Sequence, residues 1–355
     1  MSPGKTILYL QKSLLKRERQ PVLRGVELFD ALLIRDLMAA GHRVTLPLVC
    51  CWEPLLRERL PTGCRLQIIS CFGGSALNGL LAALFAGRHD ALIIGNVGNG
   101  LVPAIKLLFA TRRVGRAALI ANREAAPRFV AALRRYAVRI LAVNNQIAAP
   151  FRTAGYPLVD TDYGIPNAEE FFPAAEAKPA DAPVDFCVVG QLDNAWKGAD
   201  TAIAAFQKLP DAVRARCRLH LASFVNPPTI TTPGIQIYPW LPAAAIPTFL
   251  RRMDVMLVPS RDEHVMRETF SQVIVQGMLT GLPIIASDRP VLMEKLDTGG
   301  GLIFQTLEQL VQGLEKLAGD AALRRRLGAE ARRIALERYV WNTDRFIRKY
   351  LFPDE

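Results

Sequence analysis

The sequence predicts an α/β protein built from two doubly wound parallel sheets. Three observations carry this expectation. Short apolar strands alternate with helices of mixed polarity along most of the chain. An Ala/Pro-rich stretch, Ala174–Pro183, interrupts the alternation, which starts again at Phe186–Gly190. The chain has 355 residues, more than one core usually organises, and is 50% hydrophobic against 22% charged. The expected division is a first domain at 1–175, a second at 176–340, and a C-terminal helix at 341–355 packing back on the first.

In order, Thr6–Leu10 is an apolar strand. Gly25–Ala40 reads as a helix because Val26, Phe29, Leu33 and Leu37 share one face and Gly41 can cap its end. Arg43–Leu48 and Leu66–Ser70 are the next strands, followed by a helix at Ala76–Ala86. Ala91–Gly95, Ala117–Ala121 and Arg139–Val143 read as buried strands. Helices at Asn99–Ala110, near Pro127–Tyr136 and at Gln146–Ala154 separate and follow them. Strands so apolar, each followed by a helix, belong to a sheet covered on both faces. Beyond the linker come strand Phe186–Gly190, helix Ala199–Leu209, strands Arg218–Ser223 and Ile235–Tyr238, and helix Ala243–Arg252. Helices at Leu307–Ala318, Asp320–Arg338 and Thr343–Leu351 close the chain, with Asp320 as an N-cap.

Composition excludes several classes. The six cysteines (50, 51, 64, 71, 187 and 217) form no C-x-x-C pair and have no histidine at metal-ligand spacing. They read as buried thiols in a reducing compartment. Lys12, Lys16, Arg17 and Arg19 follow directly on Leu8–Leu10, so no signal-peptide core forms. The longest apolar run, Ala76–Ala86, is too short to span a bilayer and contains Asn78. A cytosolic protein, or one peripheral to the inner face of a membrane, is expected. Charge is uneven: residues 1–180 hold 23 Lys and Arg against 13 Asp and Glu, a net +10 of the total +11. That half is expected to meet an anionic partner: a membrane surface, an acidic acceptor or nucleic acid.

The most informative stretch is Val258–Asp288, VPSRDEHVMRETFSQVIVQGMLTGLPIIASD. A buried strand, Asp254–Val258, runs into a polar segment, Ser260–Glu268, and then a helix from near Phe270 to Gly281. Pro283–Ala286 is another strand. In such a unit the helix N-terminus lies at the carboxyl end of the sheet, where free N–H groups and the positive dipole end suit a phosphate. No P-loop is present.

This stretch resembles the C-terminal domain signature of glycosyltransferase family 4, retaining enzymes of the GT-B fold. The resemblance rests on Pro259-Ser260, on Glu268 eight residues before Gln276 in an E-x(7)-E frame, and on Gly281-Leu-Pro-Ile-Ile285. Two features depart from it. Gln276 replaces the second Glu, and about five extra residues precede Glu268, so that Glu263 sits where the first Glu often falls. The helix register aligns Gln276 and selects Glu268. The likeness is closest over Phe186–Tyr350, weaker over Gly25–Val44, and extends to the inter-domain segment Tyr163–Pro173.

The resemblance implies two Rossmann-like domains facing each other across a cleft, acceptor on the first and nucleotide sugar on the second. It implies transfer of a sugar from a nucleotide diphosphate sugar, with retention, to a hydroxyl of a glycan, a lipid-linked or anionic acceptor or a small molecule. No metal and no other cofactor is required. Gly190-Gln-Leu-Asp-Asn-Ala-Trp-Lys197-Gly198 looks like the family's Gly-Arg…Lys-Gly loop, whose Arg and Lys face the diphosphate; Gln191 replaces the Arg. Lys197 and Glu268 are the candidate catalytic residues. Gly190, Gln191, Thr269, Phe270, Ser271, Gln276 and Gly25 are the candidate donor-binding residues. Glu268 would meet the sugar hydroxyls, Thr269–Ser271 the phosphates and Gln276 the ribose. An amide accepts with one atom where a carboxylate accepts with two, so ribose binding should be weaker or reoriented. Arg261 or Arg267 could replace the missing Arg. Gly25 matches only part of the family's Gly-rich first loop.

A histidine that the resembling family often carries near the acceptor hydroxyl is absent beyond the strand ending at Ala121, and Asn122 or Glu124 could stand in for it. Asp160-Thr-Asp162 is a D-x-D outside any nucleotide loop and reads as coincidence. Gly95-Asn-Val-Gly-Asn-Gly100 could approach a ligand or simply pack strand on helix. Histidines 42, 89, 220 and 264 read as structural or exposed. Two alternatives stand beside the transferase: a catalytically weak nucleotide-binding partner of another transferase, and a basic nucleic-acid-binding protein. The lack of interleaved aromatic and basic residues weighs against the latter.

Overall fold

The computed structural model describes residues 4–19, 21, 23, 25–71, 73–176, 178–179, 181–226, 228–261 and 268–353. Two compact units emerge. The first comprises residues 1–166 and 341–355, the second Asn167–Val340. The second unit begins before the Ala/Pro-rich linker. Arg332 donates to the Phe171 carbonyl at 3.2 Å, and the Arg251 guanidinium lies 4.5 Å from the Phe172 ring centre.

The first unit is built on seven strands: β1 (Thr6–Leu10), β2 (Arg43–Val49), β3 (Arg65–Ile69), β4 (Ala91–Ile94), β5 (Ala117–Ala121), β6 (Val138–Ala142) and β7 (Val159–Asp160). Their order is β3-β2-β1-β4-β5-β6-β7, and all pairs are parallel. β4 and β5 are buried at every position, as strands must be when helices cover both faces. The chain winds one way from β1 to β3 and the other way from β4 onward. The reversal opens a switch point between β1 and β4, where the carboxyl ends leave room for a ligand.

The C-terminal segment belongs to this unit through its aromatic residues. Trp341 packs edge-on against Phe29 of helix Gly25–Ala39 at 5.0 Å, and Phe29 stacks on Tyr163 at 4.7 Å. Trp341 N–H donates to the Ile165 carbonyl at 3.1 Å. The D-x-D carboxylates lie here as well. Lys349 pairs with Asp160 and Asp162, and Arg345 pairs with Asp162 at 2.6 Å. The motif holds the segment to β7 instead of standing idle.

The second unit has six parallel strands: β8 (Val184–Val189), β9 (Cys217–Phe224), β10 (Ile235–Pro239), β11 (Val255–Val258), β12 (Ile284–Ser287) and β13 (Gly301–Phe304). Their order, β10-β9-β8-β11-β12-β13, places the switch point between β8 and β11. Phe186, Phe206, Leu219, Leu221, Val255 and Leu257 anchor the core on one side of the sheet. Asp320 caps the helix Ala321–Arg338 by accepting from Leu323 N–H.

Three expectations need correction. The helix after β11 spans Gln272–Leu279 and is preceded by a left-handed residue, so it starts two residues later than the apolar pattern suggests. Helix Pro290–Leu296 and strand β13 were not foreseen. The cysteines are free, but only Cys187 and Cys217 are buried; Cys50 is exposed, and the other three are partly so. Among the described residues, no helix is long and apolar enough to cross a membrane.

Candidate functional site

The loop leaving β8 and the loop leaving β11 meet at the second unit's switch point. Their contact depends on Gly198, which has φ +71°. A Cβ there would lie 1.9 Å from the Pro259 carbonyl oxygen, so both conformation and space demand glycine. Gly198 ends the single turn Ala195–Lys197, which carries Lys197 back over Gly190. A Cβ on Gly190 would lie 3.6 Å from Lys197 Cε.

Lys197 is paired with Glu268, 71 residues further along the chain. Their side chains are 15% and 7% exposed, which sets the pair apart from a surface ion pair. Ser260 Oγ also donates to Glu268 Oε1, at 3.3 Å, and Ser287 Oγ donates to the Ser260 carbonyl at 2.5 Å. The ends of β11 and β12 therefore hold the carboxylate from below. The Lys197 ammonium lies 4.3 Å from the Trp196 ring centre, a cation–π contact that orients it further.

The helix Gln272–Leu279 starts beside this pair in sequence. Ser271, just before it, has φ 58° and ψ 77°. A left-handed residue other than glycine costs about 1–2 kcal/mol. Ser271 is only 6% exposed, yet its hydroxyl has no hydrogen-bond partner among the described residues. A strained, buried and unsatisfied hydroxyl at a helix N-terminus points to a ligand oxygen as its missing partner.

Sequence reasoning missed Lys295. It is 2% exposed, and its ammonium sits 4.2 Å from the Phe270 ring centre and 4.9 Å from that of Tyr339. Burial pushes its pKa down to about 8; Glu294 and Glu268 pull the other way and Arg338 adds to the depression. A cation therefore lies directly beneath the turn at Glu268–Ser271. Its spacing was a usable signal, because Lys295 falls on the same helical face as buried Val291 and Leu292.

The other candidates vary. Gly190, Thr269 and Phe270 lie on the two loops just described. Gln191 is half buried and its carbonyl accepts from Asn194 N–H at 3.1 Å. Gln276 is half buried in the second turn of the helix. Gly25 opens helix Gly25–Ala39 of the first unit, so this cluster does not include it. Arg261 is held against the Gly190–Gly198 loop: it donates to the Ala195 carbonyl at 2.7 Å and pairs with the exposed Asp200 at 3.0 Å. Glu263, His264 and Arg267 lie outside the described residues. Glu124 accepts from Gln146 at 3.1 Å. His42, His89 and His220 all have structural partners: Lys5 N–H, Thr45, and Asp185 with Tyr238.

A lysine, a braced carboxylate and a helix N-terminus at one switch point define a protein suited to a phosphorylated ligand. Residues 183–320 match the model of a family described as glycosyl transferases group 1. Comparison with curated protein sequences gives no match. Solved structures resemble the whole chain. Anabaena HepE, in complex with UDP and glucose, is 15% identical, with 95% of this chain and 96% of that one covered and a TM-score of 0.70. Sucrose-phosphate synthase from Thermosynechococcus elongatus is 16% identical, with 95% of each chain covered and a TM-score of 0.70. WaaG, a glycosyltransferase involved in lipopolysaccharide biosynthesis, is 15% identical, with 93% and 95% covered and a TM-score of 0.61. The fold is therefore GT-B, two parallel-sheet α/β domains of seven and six strands.

Proposed function

We propose that the protein is a glycosyltransferase that moves a sugar from a nucleotide diphosphate sugar to a hydroxyl acceptor, with retention. The observation that carries this reading is the Lys197–Glu268 pair beside Ser271, within the residues that match the glycosyl transferase family. HepE, of the same fold, is described with UDP and with UDP-glucose.

In this reading the diphosphate lies against the helix N-terminus, where the N–H groups of Thr269–Ser271 and the Ser271 hydroxyl face its oxygens. Charge grows on the phosphate as the bond from the sugar's anomeric carbon to the phosphate oxygen breaks. Lys197 is placed to stabilise that charge, and Lys295 adds a second positive charge beneath the turn. Glu268 holds Lys197 in position and accepts from sugar hydroxyls. The acceptor oxygen bonds to the anomeric carbon on the face the phosphate leaves, and its proton passes to the departing phosphate. That route needs no protein base, which suits a chain without the family's histidine. The same groups supply the positive charge, so no metal ion is invoked.

A second reading, nucleotide binding without turnover, draws on Gln191, Gln276 and the missing histidine of the first domain. A thermal-shift panel of nucleoside diphosphates, followed by turnover assays with the matching sugar nucleotides, separates the two. At 100 times its dissociation constant a ligand adds about 2.7 kcal/mol, or several degrees for a chain of this size. Binding without turnover supports the second reading. Failure of every nucleoside diphosphate to stabilise the protein contradicts both.

A further inference from the structure

The first unit has its own switch point, and its chemistry is cationic. Lys12 lies two residues beyond β1, and Gly95–Gly98 follow β4, the strand across the reversal. Arg123 lies two residues beyond β5, the next strand in order. The glycine-rich segment noted in the sequence owes its composition to this place. A Cβ on Gly98 would lie 2.6 Å from Lys12 Cδ, and one on Gly95 would lie 2.7 Å from Gln11 Nε2. The glycines let the Gln11 and Lys12 side chains lie across the loop after β4.

The placement of Lys12 is fixed from below. Gln11, fully buried, donates from its amide to Asp30, which also accepts from the Tyr9 hydroxyl at 2.5 Å. On the outer side Lys12 faces like charge. Its pKa is lowered first by burial and then by Arg123 and Lys16. Lys12, which lies across the loop after β4, thus shares this edge of the sheet with the like charges of Arg123 and Lys16, and an anion bound there would relieve their repulsion. The chain neighbours of Lys12 add an independent observation. Gln11 Oε1 and Ser13 Oγ are buried without a hydrogen-bond partner among the described residues. They can serve hydroxyl groups as the cations serve charge.

We propose that Lys12, Lys16 and Arg123 form an anion site in the first unit that takes the phosphate of a phosphorylated, hydroxyl-bearing acceptor. A phosphate suits the set because two ammonium groups act as point charges while the guanidinium grips two oxygens. Naming this ligand as an acceptor rests on the glycosyltransferase reading; the anion site stands without it.

The test is a short acetylation pulse on the full-length protein, read lysine by lysine by mass spectrometry. Glucose 1-phosphate is the probe, and glucose at matched ionic strength the control. The expected result is several-fold slower labelling of Lys12 and Lys16 with glucose 1-phosphate, abolished by Arg123→Glu. Arg123 and Lys16 are both exposed, so Arg123→Glu and Lys16→Glu should fold, and circular dichroism checks that. Equal labelling with phosphate and control, or protection that survives both charge reversals, overturns the site. Vesicles containing phosphatidic acid replace the probe in a parallel arm. Protection by vesicles alone assigns the phosphate to a lipid, and protection by glucose 1-phosphate assigns it to a free acceptor. UDP in the same experiment should protect Lys197. If it does not while Lys12 is still protected, the donor reading fails and the anion site survives.

Discussion

At the scale of single residues, the structure turns isolated sequence signals into partners. Gln276 sits on the helix whose N-terminus faces the proposed diphosphate. If a ribose diol lies there, Gln276→Glu is expected to tighten nucleoside diphosphate binding, because a carboxylate accepts from two hydroxyls. Calorimetric titration checks this, and an unchanged or weaker dissociation constant places the ribose elsewhere. Asp30 makes a different kind of forecast. Burial, opposed by its hydrogen bonds from Tyr9 and Gln11 and reinforced by Glu27, raises its pKa to about 8. The folded state therefore holds a proton that the unfolded chain releases near pH 4. The stability this group contributes is full below about pH 4 and is lost as pH rises through about 8. Asp30→Asn should flatten that part of the stability–pH curve, measured by denaturant unfolding from pH 4 to 9. An identical curve for the variant would refute the assignment.

At the scale of elements, two loops make the site, and Gly198 joins them. Gly198→Ala adds a left-handed penalty and a collision with Pro259, and is expected to cost about 2 kcal/mol or more. Chemical denaturation should show that loss, together with weaker nucleotide binding. Normal stability would mean that the loop re-forms without the contact. The doubly wound parallel sheets and the strand–loop–helix cradle were legible because apolar runs and helical periodicity recur along most of the chain. The Lys197–Glu268 contact was not legible as a contact, because the partners are far apart in sequence. Helix Pro290–Leu296 escaped notice because Lys295 reads as a solvent-facing charge, and lysines are rarely buried. β13 was hidden by the glycines at 299–301. The D-x-D pair could be set aside as a nucleotide motif, but its tie to Lys349 and Arg345 needed the fold.

At the scale of the whole molecule, charge is divided as sharply as structure. The first unit holds 25 Lys and Arg against 13 Asp and Glu, a net +12, and the second holds 19 against 20, a net −1. Helix Ser75–Phe85 of the first unit exposes Leu77, Leu84 and Phe85. Basic residues near an anionic bilayer contribute about 1 kcal/mol each, screened by salt. The full-length protein is therefore expected to co-sediment with anionic vesicles at low salt, to dissociate near about 0.5 M salt, where the Debye length is only a few ångströms, and to ignore neutral vesicles. Phe85→Asp should weaken the association. If anionic vesicles fail to retain the protein, the charge serves solubility or the proposed phosphorylated acceptor.

The central claim is that Lys197 stabilises the diphosphate of a sugar nucleotide at the second unit's switch point. Initial rates with saturating sugar nucleotide, for the native protein and Lys197→Ala, test it most directly. Losing a charge-stabilising donor is expected to lower turnover by about two to three orders of magnitude, with circular dichroism unchanged. Near-normal turnover by a folded Lys197→Ala protein would contradict the claim.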